Sequence, residues 1–543
     1  MRMLTLLIVA ACGLVTLHAD TYPRNPRVDI VNYSFALELQ DRDDRIAGTA
    51  DIEVRFVGDE TSLRFDLVNL DPATGKGMTV SAVTAGGAAL AWEHRDNALV
   101  IELPRPFRGG ERLHVTVAYA GEPASGLKIA NNRQGDRTFF SDNWPDKARN
   151  WLPTVDHPYD KATSDMIVTA PAHYQVVSNG LLVEQTDLPG DRRLTHWRQS
   201  VPIAPWLYVL GVARFAVQQV GTFDGKAIQT WVYAQERDKG FYDFAVPTRD
   251  VLSFYSDRIG PFSYEKLANV QSNSVSGGME AASAIFYSEG SVTGDRSVRW
   301  RNVVIHEIAH QWFGNAVTES DWDDVWLSEG FATYFTLLYI EHAYGHDEFL
   351  AGLESSRQRV IEFDREHPDY RVVHDNLDDM SQVTTGQVYQ KGAWVLHMLR
   401  GMMGDEAFWT GIRTYYREHQ DANATTADFR EAMERASGRD LRGFFDQWLT
   451  RGGLVRLDGG WRYDAATKTV TVRLTQRDPA RIFTMPLQIG VYFAGSATPT
   501  ITTVDLSGAS QEFRIASDQR PDRVVLDPNH LVLMEAEFVA AGR

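Results

Sequence analysis

The fold of this chain is decided by the segment His306-Glu307-Ile308-Ala309-His310. No proline or glycine interrupts residues 299–313, and apolar residues recur there at helical spacing, which predicts a helix that ends near Gly314. On a helix of about 3.6 residues per turn, positions i and i+4 share a face, so both imidazoles can reach one metal ion. Glu307 then falls beside them. The segment therefore predicts a metal-binding helix.

A third ligand is expected after eighteen intervening residues, at Glu329 in the segment WLSEG. A catalytic zinc takes three protein ligands and keeps its fourth position open. Ser328 is a predicted N-cap for a second helix, which places Glu329 in the first turn of that helix. The pattern therefore predicts one zinc ion held between two helices by His306, His310 and Glu329.

This ligand set indicates hydrolysis. Zinc held by two imidazoles and a carboxylate polarises a carbonyl oxygen and lowers the pKa of a bound water to about 7. Glu307 is the expected general base, which takes the proton of the attacking water and passes it to the leaving amine. Metal-assisted hydrolysis of a peptide bond is the simplest reaction of this kind. Asp324 and Glu319 are candidates to orient the ligating histidines, although solvated surface positions are equally compatible with both.

These motifs resemble those of the zinc aminopeptidases of the aminopeptidase N type, gluzincin metallopeptidases that include leukotriene hydrolase. The resemblance continues through QWFGN at residues 311–315 and WLSEGFA at residues 326–332. It implies that the metal-binding part of the chain is a thermolysin-like, mainly helical zinc domain. It also implies that the substrates are peptides with a free amino terminus.

Two flanking segments carry the resemblance further. Upstream, GGMEA at residues 277–281 looks like the family's exopeptidase segment. This likeness implies a substrate-binding segment of Gly277, Gly278 and Met279, with Glu280 binding the α-amine. Taken alone, the two glycines would indicate only a turn.

Downstream, YQKGA at residues 389–393 is similar to the family's Tyr-x-Lys-Gly segment. This similarity implies that Tyr389 donates a hydrogen bond to the tetrahedral intermediate, where it would stabilise the transition state more than the ground state. In isolation, Tyr389 would be interpreted as an ordinary core aromatic on an amphipathic helix.

Two residues depart from the family pattern. Ala281 stands where the family has Asn in the exopeptidase segment. Trp144 begins a segment that in the family begins with Glu or Gln, and that residue usually supplies a second anchor for the amine. We therefore expect amine recognition to rest mainly on Glu280, with Trp144 walling the first substrate pocket.

Length and periodicity predict a multidomain α+β protein. A chain of 543 residues, 43% of them hydrophobic, can bury more than one core. Apolar residues alternate with period two across residues 20–215, which predicts an N-terminal antiparallel β domain. A mainly helical pattern covers residues 216–451, the zinc domain, and period two returns in residues 452–543, as in a small C-terminal β-sandwich. The net charge of −18 argues against nucleic-acid binding.

The first nineteen residues are typical of a secretory signal peptide. Arg2 precedes an apolar run from Leu4 to Leu17, and the small residue Ala19 comes before polar residues. This predicts a secreted or periplasmic protein. The competing interpretation is a lipobox that ends at Cys12, the one cysteine of the chain, which would attach a lipoprotein to a membrane through a lipid anchor. No later segment has the length and apolar character of a transmembrane helix.

The sequence is compatible with three functions. The first is a secreted or periplasmic zinc aminopeptidase that removes amino-terminal residues from peptides. The second is an endopeptidase or other hydrolase with a relaxed requirement for the amine, suggested by Trp144 and Ala281. The third is a catalytically silent peptide-binding protein. The presence of Glu307, Tyr389 and three metal ligands together argues against the third function.

Overall fold

The structure is a computed structural model that describes residues 20–374, 377 and 379–540. The predicted signal peptide, with Cys12, lies outside the described residues. Within these ranges, no helix combines the length and the apolar character that crossing a membrane requires.

Alternating apolar residues build the N-terminal β domain, as predicted. Its strands are β1 (Val28–Glu38), β2 (Ile46–Phe56), β3 (Glu60–Asp66), β4 (Gly77–Ala85), β5 (Ala88–Ala89), β6 (Trp92–Arg95), β7 (Ala98–Phe107), β8 (Arg112–Glu122), β9 (Leu127–Asn131), β10 (Arg137–Ser141), β11 (Ala162–Pro171), β12 (Gln175–Ser178), β13 (Leu181–Leu188), β14 (Arg192–Ile203) and β15 (Leu210–Ala213). Eight of them form a sheet in the order β13-β14-β11-β1-β2-β8-β4-β5, antiparallel except between β1 and β11. Tyr33, Ile52 and Val117 point into its core.

A second sheet begins the zinc domain. Its strands are β16 (Phe215–Phe223), β17 (Lys226–Tyr233), β18 (Lys266–Ser272), β19 (Gly278–Met279) and β20 (Ala284–Ser288). Their order is β16-β17-β18-β20-β19, so the short strand β19 lies at the edge. β18 is buried along its whole length, as expected for a central strand covered on both faces.

Helices make up most of the zinc domain. They are α1 (Arg237–Phe244), α2 (Thr248–Arg258), α3 (Val298–His310), α4 (Trp326–Tyr344), α5 (His346–Glu366), α6 (Gly392–Met403), α7 (Asp405–His419), α8 (Thr426–Ser437) and α9 (Arg442–Phe445). Two short strands, β21 (Val317–Glu319) and β22 (Ala422–Ala424), pair in parallel. Helices α2 and α6 end shortly before Gly260 and Gly404. Helix α4 is buried over most of its length, so it forms the centre of the domain.

The C-terminal part consists of two sheets. Its strands are β23 (Val455–Asp464), β24 (Thr469–Gln476), β25 (Met485–Tyr492), β26 (Thr500–Leu506), β27 (Ser510–Ala516), β28 (Arg523–Leu526) and β29 (Met534–Ala540). The orders β27-β24-β23-β29 and β26-β25-β28 agree with the predicted small β-sandwich. The multidomain α+β fold class is thus confirmed, whereas the exact boundaries at 215/216 and 451/452 remain predictions.

Candidate metal centre

Three side chains converge at the junction of α3 and α4. The Nε2 atoms of His306 and His310 are 3.1 Å apart. Glu329 Oε2 lies 3.4 Å from the first of these nitrogens and 3.2 Å from the second. Ligand atoms about 2.0–2.1 Å from a tetrahedral zinc are separated by about 3.3 Å. The arrangement therefore fits one zinc ion, and it contains all three predicted ligands.

The charge balance of the site also fits a cation. Glu280, Glu307 and His310 form a second buried group whose ligand atoms lie within 4.8 Å of one another. Burial raises the pKa of Glu307 well above its usual range, and the charge of Glu280 raises it further. Burial alone would lower the pKa of His310, but Glu280 and Glu329 outweigh it and raise that pKa to about 10. Three carboxyl groups, those of Glu280, Glu307 and Glu329, are thus buried beside His310, and a divalent cation would offset their negative charge.

The backbone orients His310 for metal binding. Its Nδ1 lies 3.1 Å from the carbonyl oxygen of Phe313 and 3.1 Å from the hydroxyl oxygen of Ser328. A carbonyl oxygen only accepts, so Nδ1 donates and the lone pair of Nε2 faces the other ligands. Asp324, a predicted orienting residue, instead accepts hydrogen bonds from Thr426 at the start of α8.

The ends of the two ligand helices differ from the prediction. Helix α3 ends at His310 instead of near Gly314, because the chain turns there and brings the Phe313 carbonyl back to the His310 ring. Helix α4 begins at Trp326, so Ser328 is not its N-cap. Glu329 still lies in the first turn of α4, as predicted.

Glu307 lies against strand β19. A methyl group added at Gly278 would be 2.2 Å from Glu307 Oε1, a separation that atoms cannot adopt. The Glu307 side chain is 5% exposed. The absence of a side chain at Gly278 is thus what allows the carboxylate to lie between the edge strand and helix α3.

Glu280 follows β19 and faces the same site. Its Oε1 lies 4.0 Å from His310 Nδ1, and this buried oxygen accepts no hydrogen bond from the residues that the structure describes. Its backbone carbonyl accepts from Gln311 Nε2 at 2.9 Å and Asn315 Nδ2 at 2.6 Å. Sequence reasoning missed this role of the two amides, although Gln311 stands four residues after Glu307, directly after the metal-binding helix.

Tyr389 reaches the site from a separate segment. Residues Gln387–Lys391 form one π-helical turn that runs directly into α6. Tyr389 Oη donates to Glu329 Oε1 at 2.8 Å, and its ring stacks near His306 with centroids 6.2 Å apart. The structure therefore places Tyr389 beside two of the metal ligands, His306 and Glu329.

Trp144 belongs to an aromatic cluster. Its half-buried ring packs edge-on against Trp206 at 4.7 Å and Trp322 at 5.0 Å between centroids. Trp322 lies in the turn that leads into α4. Trp144 is thus connected to the metal centre through the segment before Glu329, and its contact with a substrate remains a prediction.

A cavity of about 780 Å³ lies elsewhere in the molecule, between the zinc domain and the C-terminal sheets. Its lining includes Met398 of α6, Trp448 after α9 and Met485 of β25. None of the predicted site residues lines it, so the metal centre is defined by its side-chain geometry and not by this cavity.

Two descriptions of protein domains match the chain. Residues 30–207 match the "Peptidase M1 N-terminal domain" and residues 245–448 match the "Peptidase family M1 domain". The second match includes both ligand helices, Glu280 and Tyr389.

Known proteins show the same likeness. Glutamyl aminopeptidase of Rattus norvegicus is 29% identical over 326 residues, which are 58% of this chain and 34% of that protein. Probable aminopeptidase 2 of Sulfurisphaera tokodaii is 29% identical over 321 residues, 56% of this chain and 40% of that protein. The chain thus spans about a third of the length of the first of these curated relatives.

Solved structures match over more of the chain. A variant of the M1 zinc metallopeptidase from Deinococcus radiodurans superposes with a TM-score of 0.66 at 26% sequence identity. The match covers 78% of this chain and 94% of that one. A second structure of the Deinococcus metallopeptidase superposes with a TM-score of 0.64 at 25% identity, covering 75% of this chain and 90% of that one.

Proposed function

This chain belongs to peptidase family M1, and from that membership we propose that it is a zinc aminopeptidase that removes single residues from the amino end of peptides. One observation carries the choice of an aminopeptidase: Glu280 places a buried carboxylate oxygen, which has no hydrogen-bond partner among the described residues, beside the metal ligands. A free α-ammonium group is the cation that such an acceptor suits in a peptide substrate. The predicted signal peptide supports a secreted or periplasmic location, with a lipid anchor at Cys12 as the alternative.

Glu307 performs the proton transfers in this proposal. Zinc held by His306, His310 and Glu329 would supply Lewis-acid activation of water and of the scissile carbonyl group. Glu307 follows the first ligand directly on α3, and its carboxyl group accepts the proton of the attacking water. It then delivers that proton to the nitrogen of the leaving amine.

The edge strand β19 supports the orientation of the substrate. Among the described residues, β19 pairs with β20 alone, so its other edge has no strand partner and can pair with an extended peptide. A peptide bound there runs past Glu307, with its amino end toward Glu280. Tyr389 Oη lies 2.8 Å from Glu329 Oε1. With a substrate bound, it donates to the scissile carbonyl oxygen as negative charge builds on that atom.

The proposal is tested with one peptide presented free and amino-terminally acetylated. Mass spectrometry of the zinc-loaded protein should show stepwise loss of single residues from the free form alone. Cleavage of both forms at an internal bond would support the endopeptidase alternative instead. No cleavage of either form would contradict hydrolysis and support the peptide-binding alternative.

Glu280→Gln should remove most of the preference for a free amino terminus. Losing one partner of a buried charge pair costs about 2–5 kcal/mol, so kcat/KM for the free peptide should fall by about 30-fold or more. Inhibition by the acetylated peptide, which lacks the ammonium group, should change far less. An unchanged kcat/KM for the free peptide would contradict the assignment of Glu280 as the amine anchor.

Gly278→Ala should lower kcat by about 10- to 100-fold, because the new methyl group forces the Glu307 carboxylate away from its position. Zinc content should be unchanged, since the three atoms nearest to the added methyl group all belong to Glu307 and not to a metal ligand. Gly221→Ala, in strand β16 of the same sheet, is the matched control: a methyl group there has no neighbouring atom within 4 Å and should cost much less. Equal losses of kcat in the two variants would contradict this explanation.

A further inference from the structure

The position of Tyr389 depends on a short π-helical turn. Within Gln387–Lys391 the backbone hydrogen bonds join residues five positions apart, instead of four as in an α-helix. The N–H of Gly392, for example, donates to the carbonyl oxygen of Gln387. Such turns are rarely found and need support from their surroundings. The proposed role of Tyr389 demands that its hydroxyl group stay beside the metal centre, so the support of this turn bears directly on catalysis.

Helix α4 supports the turn on one side through a contact between backbones. A methyl group added at Gly330 would lie 3.0 Å from Gly392 Cα, and one added at Gly392 would lie 3.0 Å from Gly330 Cα. Gly330 directly follows the ligand Glu329, and Gly392 comes three residues after Tyr389. The two glycines thus fix the distance between the metal ligand and the Tyr389 turn.

Lys391 supports the turn on its other side. Its side chain is 1% exposed, and Nζ donates to the carbonyl oxygen of Gly453 at 2.9 Å. Gly453 lies in the segment that connects the last helix of the zinc domain to β23. The same interface carries an ion pair at 2.8 Å between Asp364 of α5 and Arg456 of β23. Lys391 therefore joins the Tyr389 turn to the C-terminal sheets.

The chemistry of this contact indicates positioning. Burying an ammonium group is costly, and an apolar side chain of similar length would fill the same space at lower cost. A buried donor with a backbone acceptor instead defines a direction and a distance, which apolar packing does not. The contact joins residues 62 positions apart, so it defines how two parts of the chain meet.

We propose that Lys391 is a positioning residue, which holds the Tyr389 hydroxyl group in place through its hydrogen bond to Gly453. This inference rests on the proposed aminopeptidase function. It makes the C-terminal sheets part of the support for the active site, although they contribute no residue to the metal centre described above.

A double-mutant cycle tests this inference. Lys391→Met should lower kcat by about 10- to 100-fold, since a displacement of about 1 Å at a catalytic group has an effect of this size. KM and zinc content should stay within about twofold. In a Y389F background, the same substitution should lower kcat by less than about twofold, because the group that Lys391 positions is already gone.

Lys266→Met is the matched control. Lys266 is also 1% exposed, and its Nζ donates to the carbonyl oxygen of Ser178 at 2.8 Å, away from Tyr389. Its effect on kcat should be the same with and without Y389F. Lys391→Arg keeps the charge and a donor and provides a second, milder variant in case Lys391→Met folds poorly. Its smaller loss of kcat should likewise require Tyr389.

Three results would be decisive. Loss of kcat that vanishes in the Y389F background supports the inference. Equal losses in both backgrounds, for Lys391→Met and for Lys391→Arg, would overturn it while leaving the aminopeptidase function intact. Absence of any turnover by the zinc-loaded wild-type protein would overturn the proposed function, and this inference with it.

Discussion

Glu307→Gln is expected to lower kcat by about 10³-fold while zinc stays bound. The amide has nearly the shape of the carboxyl group, so the packing against Gly278 is retained, but it cannot accept the proton of the attacking water. General acid–base groups contribute about 10²- to 10⁴-fold, and Glu307 performs both transfers in the proposed mechanism. The measurement is kcat with a peptide substrate, together with zinc content by mass spectrometry.

A matched control for this variant is Glu366→Gln. Glu366 is exposed at the end of α5 and lies far along the chain from the metal helix. Its replacement changes the net charge by the same amount and should leave kcat unaltered. Retention of more than about a tenth of kcat by Glu307→Gln would contradict the role of Glu307 as the general base.

Glu329→Ala should abolish measurable turnover for a different reason, which is loss of the metal. Removing a residue that only orients a metal ligand lowers metal affinity by about 10- to 100-fold. Loss of one of the three ligands themselves should therefore lower zinc affinity by more than about 100-fold. The substitution also removes the acceptor of the Tyr389 hydroxyl group. Zinc content after dialysis against a chelator should therefore fall together with kcat.

Glu341→Gln tests whether this effect is specific. Glu341 lies in the last turn of α4, the helix that carries the metal ligand Glu329 in its first turn. Zinc content of this variant should equal that of the wild-type protein. If Glu329→Ala kept its zinc through dialysis, the metal site assigned here would be wrong.

Local patterns predicted the metal site because its main constraint is local. His306 and His310 share a helix, so their spacing alone places both rings on one face. The same spacing argument could not locate the helix ends. Helix α3 stops at His310, three residues before the predicted end, because the Phe313 carbonyl turns back to the ring. Propensity does not include such a contact.

Contacts between distant residues lay beyond single-sequence reasoning. Tyr389 was connected to the metal centre only through a family resemblance, since its partner Glu329 is 60 positions away. Gln311 and Asn315 belong to the segment QWFGN that carries the family resemblance. The hydrogen bonds of their amides to the Glu280 carbonyl, however, depend on how β19 packs on α3. No periodicity in the sequence encodes that packing. For the same reason, no sequence pattern indicates the hydrogen bond from Lys391 to the carbonyl oxygen of Gly453.

The contact between Gly330 and Gly392 has a consequence for how this protein responds to heat. Gly330 adjoins the metal ligand, and Gly392 adjoins the turn that carries Tyr389, so any opening between α4 and α6 disturbs both at once. Regions of a native protein open as cooperative units, each with its own free energy. Metal binding and the position of the Tyr389 hydroxyl group therefore depend on the same cooperative unit. On warming, we therefore expect the protein to lose its metal and the placement of the Tyr389 hydroxyl group over the same temperature range.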